Sequence, residues 1–302
     1  MFGPAVPVSR PVFIVGVGRS GSTVFHQLLA RHPRTAWLSR LSERLPGQVW
    51  PHRALMRALD LGPLTSWATR YADPSEAYAW WDARFSGFSR PCRDLVAADL
   101  SASVAERLRT GLAQVVSPHR PRLLVKITGW SRIGFLKALY PDARFIHVLR
   151  DGRPVASSFL AMPWWQGWQG PAQWQWGDLP AEQRAEWERH DRSFLALAGI
   201  QWKILMDAFE LARQQLSPTD FLEIRYEALC EAPSETFRSA AAFADLPWLP
   251  AFERSLRATP LRSGNERWRR EFSSDQQARL EGVLRAHLVR YGYLTGAGPA
   301  AA

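Results

Sequence analysis

The sequence has few cysteines and no long hydrophobic run. Cys92 and Cys230 are the only two cysteines in 302 residues, and they lie far apart in no metal-ligand spacing. We therefore expect neither a disulfide nor a zinc site, and we assign neither thiol a role. No apolar run approaches the roughly 20 residues that span a bilayer, and the N-terminus lacks a charged segment followed by an apolar core. We expect a cytoplasmic protein without stable membrane insertion.

The chain also lacks a break in composition. Its hydrophobic fraction of 46% and charged fraction of 22% are those of an ordinary soluble domain. We expect one domain over 11–293, with a flexible N-terminus over 1–10 and a flexible tail over 294–302. The net charge of +10 favours anionic ligands, but it is scattered and no nucleic-acid motif is present. Nucleic acid is therefore not expected as a partner, and the oligomeric state is left open.

Short β-branched or aromatic runs predict the strands of a parallel sheet, at 12–17, 122–127, 144–149 and 220–225. Helices are predicted over 131–140 with Ser131 as cap, from Pro154 through Leu160, over 193–215, and from Ser273 or Ser274 onward. The helix over 193–215 is expected to pack on the sheet through Leu197, Ile200, Ile204, Leu205, Ala208 and Leu211. The alternation of strands and helices predicts an α/β fold with a central parallel sheet flanked by helices.

The stretch "GVGRSGST" at 16–23 connects the first strand to a helix-like segment. Written against G-x-x-x-x-G-K-[ST], Gly16 and Gly21 fit the template, and Ser22 occupies the lysine position. The glycines allow backbone N–H groups to turn inward, and the following helix adds its positive end, so an anion site does not require the lysine. A purely structural glycine turn is the alternative.

Two features of a nucleoside triphosphate site are missing. The lysine that reaches the terminal phosphates is absent, and the strand at 144–149 is followed by Arg150 in place of an acid. Asp151, between Arg150 and Arg153, is typical of a helix start rather than of a magnesium ligand. We therefore expect a metal-free site of cations and hydroxyls, which suits transfer of a sulfuryl group, since it carries one negative charge fewer than a phosphoryl group. A P-loop small-molecule kinase is the alternative.

The sequence resembles the sulfotransferases that depend on 3′-phosphoadenosine 5′-phosphosulfate (PAPS), especially their bacterial members and the tyrosylprotein-type branch. The stretches that carry the resemblance are "FIVGVGRSGSTVFHQLLARHP" and "LLVKITGWSRIGFLKALYPDARFIHVLRDGRPVASS", with weaker similarity in "FLEIRYEALCEAPSETF" and "NERWRREFS". The resemblance implies a P-loop-like domain that moves a sulfuryl group from PAPS to a hydroxyl or amine of its acceptor.

The resemblance also implies the residues of the donor site. The loop residues implied to bind the donor are Gly18, Arg19, Ser20, Gly21, Ser22 and Thr23, with Arg19 reaching the sulfuryl group. Arg150 and Ser158 would bind the 3′-phosphate, and Lys126 would stabilise the transferring group. Arg267 stands where the family often carries Lys-Trp near the nucleotide. Without the resemblance, Lys126 could equally snorkel at a strand end.

Transfer to a hydroxyl or amine requires a general base near the acceptor. In the tyrosylprotein-type branch a Glu lies shortly after the "HP" that closes the first helix, and here the nearest carboxylate is Glu43. Glu43 is therefore our candidate base, and an ion pair with Arg40 or Arg44 is the alternative. His52 and Asp82 are the reserve candidates.

A Trp-rich segment at about 162–180 contains Trp164, Trp165, Trp168, Trp174 and Trp176 between glycines and prolines. Loops of this length are often lids, and Trp faces stack on sugars, phenols and flat apolar groups alike. The segment predicts a lid over a small-molecule, glycan or lipid acceptor, whose class we leave as carbohydrate, lipid or aromatic. The other large Trp side chains are expected in the core, namely Trp80, Trp81, Trp187 and Trp202.

Overall fold

The sheet of the protein has five parallel strands. We analysed a computed structural model, which describes residues 7–48, 50–61, 72–89, 93–170 and 178–295. The strands are β1 Val12–Gly16, β2 Thr35–Trp37, β3 Arg122–Thr128, β4 Arg144–Leu149 and β5 Phe221–Arg225. Their order across the sheet is β2-β3-β1-β4-β5, and every pair is parallel.

The helices of the described ranges flank this sheet. In chain order they are α1 Ser22–Leu29, α2 Arg40–Arg44, α3 Trp50–Leu61, α4 Tyr78–Asp82, α5 Ala102–Ala113, α6 Ile133–Leu139, α7 Gly152–Leu160, α8 Ala181–Arg189, α9 Phe194–Arg213, α10 Tyr226–Glu231, α11 Pro233–Phe243, α12 Pro250–Arg257, α13 Arg267–Glu271 and α14 Ser274–Arg290. Three-residue 3₁₀ segments lie at Ala97–Asp99, Gly167–Gln169 and Pro218–Asp220. The result is a single α/β domain, as predicted.

The central strand β1 explains where a site can form. All five of its residues are buried, because strands pair with it on both edges and helices cover the sheet. In register, Gly16 of β1 lies beside Thr128 of β3, so the carboxyl ends of these strands meet at one edge of the sheet. Parallel sheets bind ligands at this edge, and the loop after β1 begins there.

The four predicted strands are confirmed, and the helix starts differ in detail. Ser273 is one of the two serines predicted to cap the last helix, and it caps α14 by accepting a hydrogen bond from the N–H of Gln276. The predicted cap Ser131 is wrong, because Arg132 occupies the cap position of α6 with a positive φ of 50°. Ser131 lies one residue earlier, where its hydroxyl donates to Asp94 and accepts from the N–H of Ile133 at 3.4 Å. Strand β2 has only three residues and forms at the sheet edge, so no hydrophobic run marked it.

Helix α7 begins at Gly152, two residues before the predicted start. Asp151 caps it by accepting a hydrogen bond from the N–H of Arg153, and the two side chains form a salt bridge with a closest distance of 2.6 Å. Its role as a helix-start residue is therefore confirmed. An added Cβ at Gly152 would lie 2.8 Å from the ring of Trp202, so α7 and α9 pack too closely there for any larger residue.

Helix α9 packs mainly on α7 and α14, and it reaches the sheet through Phe209, which stacks on His147 of β4 at 4.5 Å between ring centroids. Of the predicted packing residues, Leu197, Ile200 and Leu205 are buried, and Ile204 and Ala208 are partly buried. Leu211 contradicts the prediction, since 62% of its surface is exposed. The inner face is already occupied by Leu205 and Phe209, which leaves Leu211 facing outward.

The large core aromatics are confirmed for Trp80, Trp81 and Trp202, which are buried, while Trp187 is partly buried. The flexible tail predicted for 294–302 lies mostly outside the described residues, as does most of the predicted N-terminal segment 1–10. Trp174 and Trp176 of the predicted lid also lie outside them.

Candidate active site

The loop between β1 and α1 is fixed by its two framing glycines. An added Cβ at Gly16, the last residue of β1, would lie 2.7 Å from the carbonyl oxygen of Val148 in the neighbouring strand β4. Gly21 has φ of 90° and occupies the cap position of α1. Its added Cβ would overlap the ring of Tyr226, with Cε2 at 2.8 Å. Only glycine combines this backbone with this close approach.

Among the described residues, the loop presents hydrogen-bond donors that have no protein partner. No side chain of the described ranges caps the first turn of α1, so the N–H groups of that turn are open at the positive end of the helix. The hydroxyl of Ser20 is buried with 1% of the residue exposed, and within the described ranges its Oγ has no hydrogen-bond partner. A buried hydroxyl of this kind requires a partner, and an anion in the loop would supply one.

Arg19 and Arg150 meet across this loop. Nη1 of Arg150 donates to the carbonyl of Arg19 at 2.9 Å, and Nε of Arg19 donates to Oγ of Ser158 at 2.8 Å. The guanidinium of Arg150 also lies 4.2 Å from the ring centroid of Tyr226, the same ring that packs against Gly21. The residues predicted for the two halves of the donor site are therefore in direct contact.

Asn265 and Glu227 support Arg150, and sequence reasoning missed both. Nε of Arg150 donates to Oδ1 of Asn265 at 2.8 Å, and Nδ2 of Asn265 donates to Glu227 at 2.6 Å. This chain of bonds holds the guanidinium in place. Asn265 opens the weakly matching stretch "NERWRREFS", so that stretch was the available signal.

Lys126 is buried beside the first turn of α1. Nζ donates to Thr23 at 2.8 Å and lies 3.5 Å from a carboxylate oxygen of Glu76, and only 5% of the residue is exposed. Burial lowers the pKa of Lys126, Glu76 counteracts this, and nearby Arg19 lowers the pKa further. It therefore does not snorkel into solvent. His26, also adjacent, stays neutral because burial and then Lys126 lower its pKa to about 3.

A cavity of about 570 Å³ opens from the loop. Arg19, Thr23 and Lys126 line it on the side of the loop, and the carboxylates of Glu43, Glu76 and Asp82 line it as well. The volume is that of a small-molecule site. Glu76 was not singled out from the sequence, because its pairing with Lys126 joins segments 50 residues apart.

The candidate base Glu43 lies in this cavity. The N–H of Ala79 donates to its carboxylate at 3.3 Å to Oε2 and 3.4 Å to Oε1. Burial raises the pKa of Glu43; the bond from Ala79 lowers it, and Glu76 and Asp82 raise it again, with a net shift upward. Arg40, one of the alternative ion-pair partners, lies instead 3.5 Å from Asp73. The role of Glu43 as base stays a prediction.

The two reserve bases occupy different surroundings. Asp82 lines the cavity and accepts a hydrogen bond from the N–H of Ser89 at 2.9 Å. His52 is buried, with Nδ1 between the hydroxyls of Ser39 and Ser42 at 3.0 and 2.8 Å, and it is not among the residues that line the cavity. Burial lowers the pKa of His52 to about 4. Of the two, Asp82 has the better position.

Arg267 is not brought into the cavity lining. It lies in α13 with 74% of its side chain exposed, and its Nε pairs with Glu271 at 2.6 Å. Glu271 also accepts a hydrogen bond from Ser157, the neighbour of Ser158, at 3.1 Å. Arg267 thus lies near the end of α7 but points to solvent, and its predicted contact with the donor stays a prediction.

The Trp-rich segment contributes differently from residue to residue. Trp164 lines the cavity together with Phe159, and the two rings make an edge contact at 5.6 Å. Trp165 is buried and Trp168 is 60% exposed. One predicted lid residue therefore faces the cavity in the described part of the segment.

The described residues contain neither a metal-binding cluster nor a membrane-spanning helix. In those ranges no group of three His, Cys, Asp or Glu side chains is arranged to hold a metal ion. Nor does any described helix combine the length and apolar character needed to cross a bilayer. Our expectation of a metal-free reaction stays a prediction.

Comparisons with known proteins agree with the fold. The sequence profile of the Sulfotransferase family matches residues 11–250. Sulfotransferase STF9 from Mycobacterium avium is 18% identical, with a TM-score of 0.53 over 94% of this chain and 77% of its own. The sulfotransferase domain from the curacin biosynthetic pathway is 16% identical, with a TM-score of 0.50 over 93% of this chain and 99% of its own. At these identities the solved structures support the fold.

A curated relative is much longer than this chain. An uncharacterized protein from Aquifex aeolicus (strain VF5) is 24% identical over 284 residues, which amount to 87% of this chain. The chain spans 31% of the length of that relative. None of these comparisons favours the small-molecule kinase that was the alternative.

Proposed function

This chain belongs to the sulfotransferase family, and we propose that it transfers a sulfuryl group from PAPS to a hydroxyl or amine of a small-molecule, glycan or lipid acceptor. The observation that carries the proposal is the contact network around the loop, in which Arg150 bonds to the backbone of Arg19 and Arg19 bonds to Ser158. Three segments distant in sequence converge there on one anion site.

The loop and its neighbours fit the two phosphate-bearing ends of PAPS. The open N–H groups of α1, with the unpartnered hydroxyl of Ser20, suit the 5′-phosphosulfate. Arg150 and Ser158 suit the 3′-phosphate, because a guanidinium and a hydroxyl are strong donors to phosphate oxygens. Lys126 lies next to the loop, where a positive charge lowers the energy of a developing anion.

The residues of the cavity can carry the transfer without a covalent intermediate on the protein. Glu43 takes the proton of the acceptor hydroxyl as the acceptor oxygen forms its bond to sulfur. The bond between sulfur and the bridging phosphate oxygen breaks in the same step, and Arg19 and Lys126 face the negative charge left on that oxygen. A carboxylate with a raised pKa is the stronger base for this task.

We also propose that the protein acts in the cytoplasm and that its acceptor is not a nucleic acid. The low number of cysteines supports the cytoplasmic location, and the scattered basic charge argues against a nucleic-acid acceptor. The cavity, with Trp164 on its wall, has room for a sugar, a phenol or a flat apolar group.

Thermal unfolding with two nucleotides tests the donor. Adenosine 3′,5′-bisphosphate is expected to raise Tm, because Arg150 would bind its 3′-phosphate. ATP with magnesium is not expected to raise Tm, because it has no 3′-phosphate and the loop lacks the lysine of a nucleoside triphosphate site. At 100 times Kd the bisphosphate stabilises by about 2.7 kcal/mol. Stabilisation by ATP with magnesium alone would refute the proposal and support the kinase.

Arg150→Ala is the sharpest variant for the same site. It removes a charged partner of the 3′-phosphate, so the bisphosphate should bind at least about tenfold more weakly, on the order of 1.5–3 kcal/mol. Arg257→Ala is the matched control, since Arg257 is an exposed arginine on α12 that pairs with Glu253 of its own helix. Equal affinity of both variants, measured by calorimetry, would contradict the role of Arg150.

A further inference from the structure

Gln201 is a buried polar residue on the wall of the cavity that neither the donor site nor the base accounts for. It lies in the middle of α9 with 1% of its surface exposed. Its Oε1 accepts a hydrogen bond from Nε1 of Trp165 at 2.9 Å. Its Nε2 is buried and has no hydrogen-bond partner among the described residues. A buried amide donor without a partner is rare, because its desolvation is not compensated.

The orientation of this amide follows from the chemistry of its neighbour. The indole N–H of Trp165 can only donate a hydrogen bond, so the oxygen of the Gln201 amide must face it. The NH₂ group is then the unpaired end of the side chain. Trp165 itself is 6% exposed and is packed into the core, so it holds the amide in this orientation.

Apolar side chains line the same cavity. Leu205, four residues further along α9, lies on the same face of the helix as Gln201, and both residues line the cavity. Phe159 and Trp164 also line it, with their rings in an edge-to-face pair. A hydrogen-bond donor in a cavity with these aromatic and aliphatic side chains fits a flat molecule that carries an oxygen.

The three carboxylates that line the cavity do not pair with this donor, so it can bind a ligand. Glu43, Glu76 and Asp82 already hold partners in Ala79, Lys126 or Ser89, and none of them bonds to Gln201. Resting on the proposed function, we infer that Gln201 binds the acceptor: its Nε2 donates to an oxygen on the body of an aromatic acceptor, at a distance from the nucleophilic hydroxyl. Gln201 thereby selects oxygenated phenols over hydrocarbon-substituted ones, since the latter leave the buried donor unpaired.

A matched pair of phenols tests the selection. 4-(2-Hydroxyethyl)phenol and 4-propylphenol differ by one oxygen in place of one carbon, and the change is too far from the ring to alter the acidity of the phenol. Affinities are measured by calorimetry with adenosine 3′,5′-bisphosphate at saturation. The oxygenated phenol pairs a buried donor that is otherwise unsatisfied. The ratio of its affinity to that of 4-propylphenol should therefore be about 5- to 150-fold higher than in a protein that lacks the donor.

Two variants provide that reference. Gln201→Met keeps the length of the side chain and removes the donor, while Gln201→Glu keeps an oxygen for Trp165 and, at a pH at which its carboxyl is ionised, also removes the donor. Both should lower the affinity ratio of the two phenols by at least about fivefold relative to the unmodified protein. In Gln201→Glu the bond to Trp165 remains and the donor is lost. If Gln201 served only to hold Trp165, this variant would leave the affinity ratio unchanged.

The outcomes distinguish this inference from the proposed function. An unchanged affinity ratio in a folded variant overturns the role of Gln201, and so does failure of the unmodified protein to bind either phenol. Thermal stabilisation by the bisphosphate reports separately on the donor site. Its absence in the unmodified protein would refute the proposed function, whereas its retention in both variants shows that the donor site is intact when the phenol ratio changes.

Discussion

Replacing Gly21 with alanine should damage both stability and donor binding. Gly21 has φ of 90°, which costs a residue with a Cβ about 1–2 kcal/mol. The new methyl would also overlap the ring of Tyr226, with Cε2 at 2.8 Å, and overpacking of a buried contact costs about 1–3 kcal/mol. The sum is about 2–5 kcal/mol. Relief requires Tyr226 to move, and Arg150 lies over that ring at 4.2 Å.

Gly87→Ala is the matched control. Gly87 has nearly the same backbone, with φ of 85°, but nothing lies within 4 Å of its added Cβ. It should therefore show the backbone cost without the collision. Gly21→Ala should be less stable than Gly87→Ala by about 1–3 kcal/mol, which corresponds to a difference of about 2–12 °C in Tm.

Thermal unfolding with and without adenosine 3′,5′-bisphosphate measures both effects. The bisphosphate should stabilise Gly87→Ala as it does the unmodified protein, and Gly21→Ala much less, because the displaced Tyr226 carries Arg150 away from the loop. Equal losses of Tm in the two variants would show that the collision does not exist. Normal stabilisation of Gly21→Ala by the bisphosphate would refute the coupling through Tyr226.

Two further predictions concern the base and the core. Asp82→Asn should lower the pKa of Glu43, because the negative charge of Asp82 is one of the causes that raise it, after burial; titration by carbon NMR should show the shift, and Asp275→Asn on α14 should not produce it. Phe237→Ala should cost about 3–5 kcal/mol in urea unfolding, since the ring is fully buried and stacks on Phe25 at 5.1 Å. A loss below about 1 kcal/mol would contradict that packing.

Much of the fold follows from local sequence signals. The β-branched runs of β1, β3 and β4 are buried strands because each run has the composition and length of a strand covered on both faces. Ser273 caps α14 because its hydroxyl needs only a backbone N–H three residues away. Each of these signals depends on residues within one helical turn or one strand, so the local sequence is sufficient to predict it.

The exceptions lie where distant segments compete for the same group. Ser131 has the composition of a helix cap, but Asp94, 37 residues earlier, accepts hydrogen bonds from its hydroxyl and from the N–H of Arg132, and Arg132 occupies the cap position. Leu211 fits the helical period of α9, but the neighbours of that helix cover a narrower face than the pattern suggests, and the residue is exposed. Periodicity identifies a helix without fixing how much of its surface the tertiary packing covers.

For the site, the sequence by itself determined the loop at 16–23 and the missing lysine, because these stand in a motif, and the resemblance to the sulfotransferases singled out the cations Arg19, Lys126 and Arg150. Tertiary structure alone decided which groups they meet. Asn265 reaches Arg150 from 115 residues away, and Gln201 shares a cavity with Arg19 through the packing of α9 on α7. Such contacts depend on long-range packing, for which neither residue type nor spacing carries a local signal.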